Sequence, residues 1–156
     1  MNFGGSPLRP EATGYGLVYM TKLAVEEKLN RSLDGMRCAV SGSGNVAQFA
    51  CEKLLELGAR VVTVSDSNGV LIFEDGMTGE DLKVVAECKN VKRGRLGSLE
   101  KEVNGRYIDG ASPWSLDMPY DLALPCATQN EINEEGARLL VKNGVVGVLE
   151  VCLFMY

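Results

Sequence analysis

The sequence predicts an α/β fold, a doubly wound and mostly parallel sheet with helices on both faces, and three observations carry that prediction. Apolar runs of strand length alternate with amphipathic stretches of helical length along the 156 residues, the pattern of strand-helix-strand units in a parallel sheet. A glycine-rich turn, Ser41-Gly42-Ser43-Gly44-Asn45-Val46-Ala47, stands between an apolar run (Met36 to Val40) and an amphipathic one (Val46 to Leu57). A second strand-like run, Arg60 to Ser65, ends at Asp66, about 20 residues past the turn.

In chain order, Leu17, Met20, Leu23, Ala24 and Leu29 approximate helical spacing and predict a helix over Glu11 to Leu29. The polar segment Asn30 to Gly35 connects it to a strand, Met36 to Ser41, and Val46 to Leu57 is the helix after the turn. Gly58 sits where a carboxy cap is expected. Ser67-Asn68-Gly69 reads as a turn and Val70 to Phe73 as a short strand or extended loop. Thr78 and Asp81 form a capping pair opening a helix through Leu82, Val85 and Cys88. A short helix is expected from Ser98 to Val103. Asp121 to Pro125 has the pattern of a buried strand, Ile132 to Lys142 of a helix, and Gly144 to Leu149 of a further strand.

Composition narrows the function. The length fits one domain with a sizeable core. A net charge of -5 and a pI near 4.8 argue against an extended nucleic-acid partner. The longest apolar stretch, Val145 to Tyr156, is interrupted by Glu150 and too short to span a bilayer, and the amino end is unlike a signal peptide, so a cytoplasmic protein without a membrane partner is expected. Cys38, Cys51, Cys88, Cys126 and Cys152 form no Cys-x-x-Cys pair; they read as core residues of a reducing compartment, and no metal site is expected. The chain has no histidine, which removes the usual general base and any Ser-His or Cys-His nucleophile. Chemistry must then come from a cofactor or from other parts.

The turn suits a dinucleotide, in a Rossmann-like setting. Gly42 lets the chain leave the strand sharply, Gly44 lets backbone approach a diphosphate, and Ala47 lets the helix pack against the sheet. The free N–H groups and positive dipole end of that helix then face the phosphates. The plainer alternative is that both glycines only shape a tight turn. Asp66 alone favours NAD, since its carboxylate accepts ribose hydroxyls and repels a 2′-phosphate. Lys89, Lys92 and Arg93 fall at i, i+3 and i+4, so a persisting helix places them on one face where they offset that repulsion; the alternative is a solvated charge run.

Four strings in order, Arg9 to Gly16, Val40 to Gln48, Ser65 to Ser67 and Leu124 to Glu131, together with Pro113-Trp114-Ser115, resemble the cofactor domain of the hexameric glutamate dehydrogenase family over about Gly4 to Glu150. Their wording is similar to the NADP-preferring microbial branch; leucine and phenylalanine dehydrogenases share the architecture but match less well. The resemblance implies NADP as cofactor with NAD possible, and oxidative deamination of glutamate to 2-oxoglutarate and ammonia, with hydride transfer belonging to the cofactor. The turn, the Asp66 region, the basic run and this resemblance together give an expected cofactor-binding set of Thr13, Gly42, Ser43, Gly44, Asn45, Val46, Asp66, Ser67, Lys89, Lys92, Ala127, Thr128 and Asn130, of which the resemblance supplies Thr13, Asn45, Ala127, Thr128 and Asn130. Within it, Thr13 meets the nicotinamide carboxamide, Asn45 meets the cofactor beside the diphosphate, and Ala127, Thr128 and Asn130 meet ribose and nicotinamide. Thr13, Thr128 and Asn130 also suit plain helix caps. The Ser65-Asp66-Ser67 context points to NADP, with the expectation that Lys92→Glu weakens NADPH far more than NADH.

The family's glutamate-binding domain and its proton-transfer lysine and aspartate have no counterpart here, so no catalytic residue is assigned. Glutamate and 2-oxoglutarate are expected as partners only through that missing domain, and a homo-hexamer only for the full-length family. The chain divides into a cofactor domain, residues 1–150, and a divergent apolar tail, residues 151–156, which suggests a partial gene model. Two readings remain: an NADP-dependent glutamate dehydrogenase seen through its cofactor half, inactive by itself, or a non-catalytic nucleotide-binding or interaction module. A leucine- or phenylalanine-type dehydrogenase is the nearest competitor.

Overall fold

The structure, a computed structural model, describes residues 9–151. Residues 4–8 of the family resemblance and residues 152–156 of the apolar tail, Cys152 included, lie outside the described residues. Helix α1 (Ala12–Leu29) leads into strand β1 (Arg37–Val40), helix α2 (Asn45–Glu56) and strand β2 (Arg60–Ser65). There follow β3 (Gly69–Ile72), α3 (Gly79–Asn90), a 3-10 turn (Leu96–Leu99), β4 (Arg106–Asp109), a second 3-10 turn (Pro113–Ser115), β5 (Leu122–Leu124), α4 (Glu134–Lys142) and β6 (Gly147–Val148).

Among the described residues the six strands form one sheet in the order β4-β3-β2-β1-β5-β6. β1 runs parallel to β2 and β5, and β5 parallel to β6, whereas β3 is antiparallel to both neighbours. One sheet face is closed by α1, α2 and α3 around Leu17, Val25, Val40, Leu54, Val61 and Leu124. The other is closed by α4 and the Trp114 turn around Ala39, Val62, Ala123, Tyr120 and Leu140. The chain is thus doubly wound as the alternation predicts, with an added antiparallel edge. Within the described residues no helix is long and apolar enough to cross a membrane.

Four local expectations need correction. The edge strand β4 was not foreseen because Arg106 and Asp109 are exposed, only Tyr107 and Ile108 are half-buried, and the run shows no apolar alternation; the Asp66 N–H to Gly69 carbonyl turn (2.9 Å) reverses the chain after β2, and so short a connection makes β3 antiparallel. The helix expected at Ser98 to Val103 is the 3-10 turn Leu96–Leu99, whose two leucines, three residues apart, are both buried on one side. On α1 the inward stripe is Gly14, Leu17, Val18, Thr21 and Val25, while Met20 and Leu23 are 63% and 52% exposed. Packing at Gly14 sets that rotation: a Cβ there would lie 2.6 Å from the Val46 carbonyl oxygen and 2.8 Å from the Ala50 nitrogen, so the helices touch backbone to backbone. Thr21, on the same stripe, returns its hydroxyl to the Leu17 carbonyl (2.8 Å). At the sheet's far edge the expected strand Gly144 to Leu149 keeps only Gly147 and Val148, paired to Leu122 and Ala123.

The strand order reverses between β1 and β5, and a crevice opens outside their carboxyl ends. Hydrogen bonds lock its rim. The Gly42 N–H donates to Ser65 Oγ (2.9 Å), and the Ser65 N–H donates back to the Gly42 carbonyl (3.1 Å). On the other side the Ser41 N–H donates to the Leu124 carbonyl (3.2 Å), and Ser41 Oγ accepts from the Cys126 N–H (2.9 Å). Gly42 has φ +82° and a Cβ on it would sit 3.1 Å from the Cys126 oxygen and 3.2 Å from Ala127.

Two predictions arise from this frame. Gly42→Ala forces a side chain into a left-handed conformation and against the β5 loop, costing about 1–2 kcal/mol from the backbone alone; thermal unfolding at the wild-type temperature would contradict it. Burial pushes the Asp81 carboxyl up, but hydrogen bonds from Thr78 Oγ1, the Asn104 N–H and the Thr78 N–H outweigh it and hold the group below the usual carboxylate range. A lowered folded pKa makes this stabilisation complete above the unfolded value, about 3.9, and lost as pH falls through the folded one. Asp81→Asn is therefore expected to cost about 1–3 kcal/mol at neutral pH, with the gap to wild type narrowing in denaturant titrations carried into acid; an undiminished gap there contradicts the assignment.

Candidate functional site

A cleft of about 630 Å³ occupies the crevice. Gly42, Ser43 and Gly44 form its floor; Ser65, Asp66, Ser67, Lys89 and Arg95 form one wall; Cys126, Ala127, Thr128, Glu131 and the Trp114 turn form the other. Helix α2 begins at that floor. Among the described residues no side chain caps it, whereas Thr78 caps α3 and Asn133 caps α4, so its first amides and its positive dipole end are available to an anion. A Cβ built on Gly44 meets no protein atom within 4 Å, which leaves the space above the turn open, and Gln48 Nε2 steadies the turn by donating to the Ser43 carbonyl (2.8 Å).

The Asp66 side chain, 5% exposed, does not present its carboxylate to the cleft as a spare acceptor. Oδ1 accepts from the Asn68 N–H (2.9 Å), Oδ2 accepts from the Leu96 N–H (3.0 Å), and Lys89 Nζ lies 3.6 Å away. Burial raises its pKa, but the Leu96 and Asn68 amides and the Lys89 ammonium prevail and hold it below the ordinary range. Arg95 Nη1 donates to Ser67 Oγ (2.7 Å), and Lys89 Nζ also donates to the Gly94 carbonyl (3.1 Å). Beside β2, then, two cations border a carboxylate already committed to local bonds. That corner suits a phosphate better than a bare ribose hydroxyl pair.

The opposite wall is organised by Glu131. Its Oε1 accepts from the Ala127 and Thr128 N–H groups (2.9 and 2.8 Å), and its Oε2 accepts from the Trp114 indole (3.2 Å). Burial, with the Glu131 carboxylate adding to it, pushes the Cys126 thiol up to about 12, so the sulfur is a neutral, compact wall.

Of the residues expected from sequence, the cleft brings together Gly42, Ser43, Gly44, Asp66, Ser67, Lys89, Ala127 and Thr128. It is not lined by Thr13, Asn45, Val46, Lys92 or Asn130. Asn45 and Val46 open α2 immediately behind Gly44, and Thr13 lies one residue inside α1. Glu11 holds the α1 N-cap position and Asn133 caps α4, so the plain capping roles weighed for Thr13, Thr128 and Asn130 do not hold. Asn130 is left-handed (φ 58°) and donates its N–H to Glu150 (3.3 Å). The shared basic face of Lys89, Lys92 and Arg93 is also corrected. Helix α3 stops at Asn90, Lys92 pairs with Glu87 (3.4 Å) on the surface, and Arg93 turns the chain with φ 50°. Arg95 stands where Lys92 was expected.

Sequence reasoning missed Arg95, Ser65 and Glu131. A serine ending an otherwise apolar strand beside the glycine turn was the available signal for Ser65, and for Glu131 the signal was its place at the end of Leu124 to Glu131. Nothing local marked Arg95, which reaches the cleft only because the chain doubles back after α3.

A model of the glutamate/leucine/phenylalanine/valine dehydrogenase family matches residues 4–152. The NADP-specific glutamate dehydrogenase of Salmonella typhimurium is 51% identical over 150 residues, covering 96% of this chain and 33% of that protein. The NAD(P)-specific glutamate dehydrogenase of Xylanibacter ruminicola is 49% identical with the same coverage. Among solved structures, glutamate dehydrogenase 2 of Plasmodium falciparum superposes with a TM-score of 0.87 at 45% identity, over 97% of this chain and 33% of that one. The chain spans about a third of the length of the curated relatives it matches. Fold, cleft and sequence converge: this chain belongs to the glutamate/leucine/phenylalanine/valine dehydrogenase family.

Proposed function

We propose that residues 9–151 are the NADP(H)-binding part of a glutamate dehydrogenase, the partner in reversible oxidative deamination of L-glutamate to 2-oxoglutarate and ammonia. The observation that carries this reading is the uncapped start of α2 opening on a cleft whose far corner gathers Lys89, Ser67 and Arg95 beside an Asp66 already bonded to two amides. In it, the amides from Gly44 to Val46 hold the diphosphate, and Ser67, Lys89 and Arg95 take the 2′-phosphate that distinguishes NADP from NAD. Ala127 and Thr128, shaped by Glu131, border the ribose on the nicotinamide side, with Thr13 nearest the ring. The bound nicotinamide supplies the hydride chemistry; the chain's residues bind and aim it. The names of the relatives, NADP-specific in one case and NAD(P)-specific in another, support the cofactor choice and leave NAD as a second ligand.

Among the described residues, none that lines the cleft is left as a spare general base. Asp66 is held ionised by its amide and ammonium partners, Glu131 accepts from three N–H donors, and the Cys126 thiol is neutral. We therefore place the amino-acid site and the proton-transfer groups in the part of the relatives' length that this chain does not span, and the hexameric assembly of the family with it. The chain alone binds cofactor without turning over.

A saturating dose of NADPH, on the order of a hundred times Kd, is expected to raise stability by about 2.7 kcal/mol and the melting temperature by several degrees. No shift with either NADPH or NADH overturns the reading, as does NADPH oxidation above background when 2-oxoglutarate and ammonium are added to the purified chain. Arg95→Glu should weaken NADPH about tenfold or more and leave NADH within about threefold, the loss of a charge-assisted phosphate contact; equal losses in calorimetric titrations contradict the placement of the 2′-phosphate.

A further inference from the structure

Asn45 begins helix α2 directly behind the cleft floor, yet it is not among the residues that line the cleft. Its Nδ2 donates to the Pro10 carbonyl at 2.6 Å, joining the approach to α1 to the first turn of α2 across 35 residues. One turn further along α1, Gly14 presses on the Val46 carbonyl and the Ala50 nitrogen so closely that no Cβ fits. Beyond that, Tyr15 donates its hydroxyl to Glu52 (3.0 Å) and meets the Phe49 ring edge-on at 5.8 Å, and the buried Lys53 ammonium lies 4.3 Å from the Tyr15 ring centre.

Thr13 is bracketed by the first two of these contacts. Pro10 is pinned on one side of it and Gly14 on the other, so where Thr13 stands relative to the cleft follows from where the start of α2 stands. The Gly14 contact is backbone on backbone and has no freedom to adjust. The Asn45 bond is different: it is an exposed side-chain contact that ties the approach to α1 to the first turn of α2, next to the cleft floor.

We propose that Asn45 is a positioning residue, a latch whose side-chain amide holds the Pro10 carbonyl and so sets Thr13 against the nicotinamide end of the cofactor, rather than a residue that grips the diphosphate through its side chain. This rests on the cofactor reading above. It makes a distinction between the two halves of the ligand. Loss of the latch frees the start of α1 and weakens contacts to the nicotinamide mononucleotide half. The adenosine half, held by the α2 amides and by Ser67, Lys89 and Arg95, is left as it was.

The test compares two ligands on the full chain by calorimetry: NADPH, and 2′-phospho-ADP-ribose, which keeps the diphosphate and the 2′-phosphate but lacks nicotinamide. Asn45→Ala is expected to weaken NADPH about three- to tenfold, the range of one hydrogen bond, and to leave 2′-phospho-ADP-ribose within about twofold; the second affinity also reports that the variant is folded. Thr13→Val alone should weaken NADPH, and Asn45→Ala added to it should cost little more, because both act through the same contact. Equal losses for the two ligands in Asn45→Ala, or fully additive losses in the double variant, overturn the latch while leaving the cofactor reading intact. A wild-type chain that binds neither ligand overturns the cofactor reading itself, and the latch with it.

Discussion

The pair of hydrogen bonds exchanged between Gly42 and Ser65 is the constraint on which the site depends. Gly42 is left-handed and leaves little room for a side chain against the β5 loop, so the end of β1 is held by backbone and by the serine that ends β2. With Ser41 tied to Cys126 and Leu124 on the other flank, the ends of three parallel strands become one rigid rim. Helix α2 leaves that rim in one direction only, and its start therefore points into the crevice. A helix terminus without a cap is an unsatisfied set of donors; here the fold aims it rather than covering it.

Electrostatics then divide the crevice. On the β2 side, Asp66 acts less as a ligand than as an internal brace, taking two amides and a lysine so that the loop carrying Ser67 and the return of the chain after α3 are held together. Lys89 and Arg95 are left bordering the open space. On the β5 side, Glu131 does the same work with the opposite result: its three donors fix the Ala127-Thr128 loop and the Trp114 indole, and the wall they make carries no cation. One elongated anion with a charged end and an uncharged end fits that division.

Much of this was legible in the chain, and the boundary is physical. The β1-turn-α2-β2 unit could be read because its signals are local: strand-length apolar runs, glycines at a turn, and an acidic residue at the following strand end. The Thr78–Asp81 capping box was equally readable, both partners lying within one turn. Features that depend on tertiary contact were not. The inward face of α1 passes through Gly14 and Thr21, residues that hydrophobic patterning discounts but close helix approach requires. Arg95 arrives at the cleft because Arg93 takes a left-handed turn and the helix ends early, which destroys the periodicity used to place Lys92 beside Lys89. No local signal announced that the amide of Leu96, 30 residues away in sequence, bonds the Asp66 carboxylate.

Amide-resolved NMR during titration with 2′-phospho-ADP-ribose tests the central claim most directly, because the claim concerns specific N–H groups. The account predicts that the Gly44, Asn45 and Val46 amides move first and furthest, with saturation shared by Ser67 and Arg95, while the outer face of α4 stays still. Saturable binding that leaves the opening turn of α2 unperturbed would contradict it.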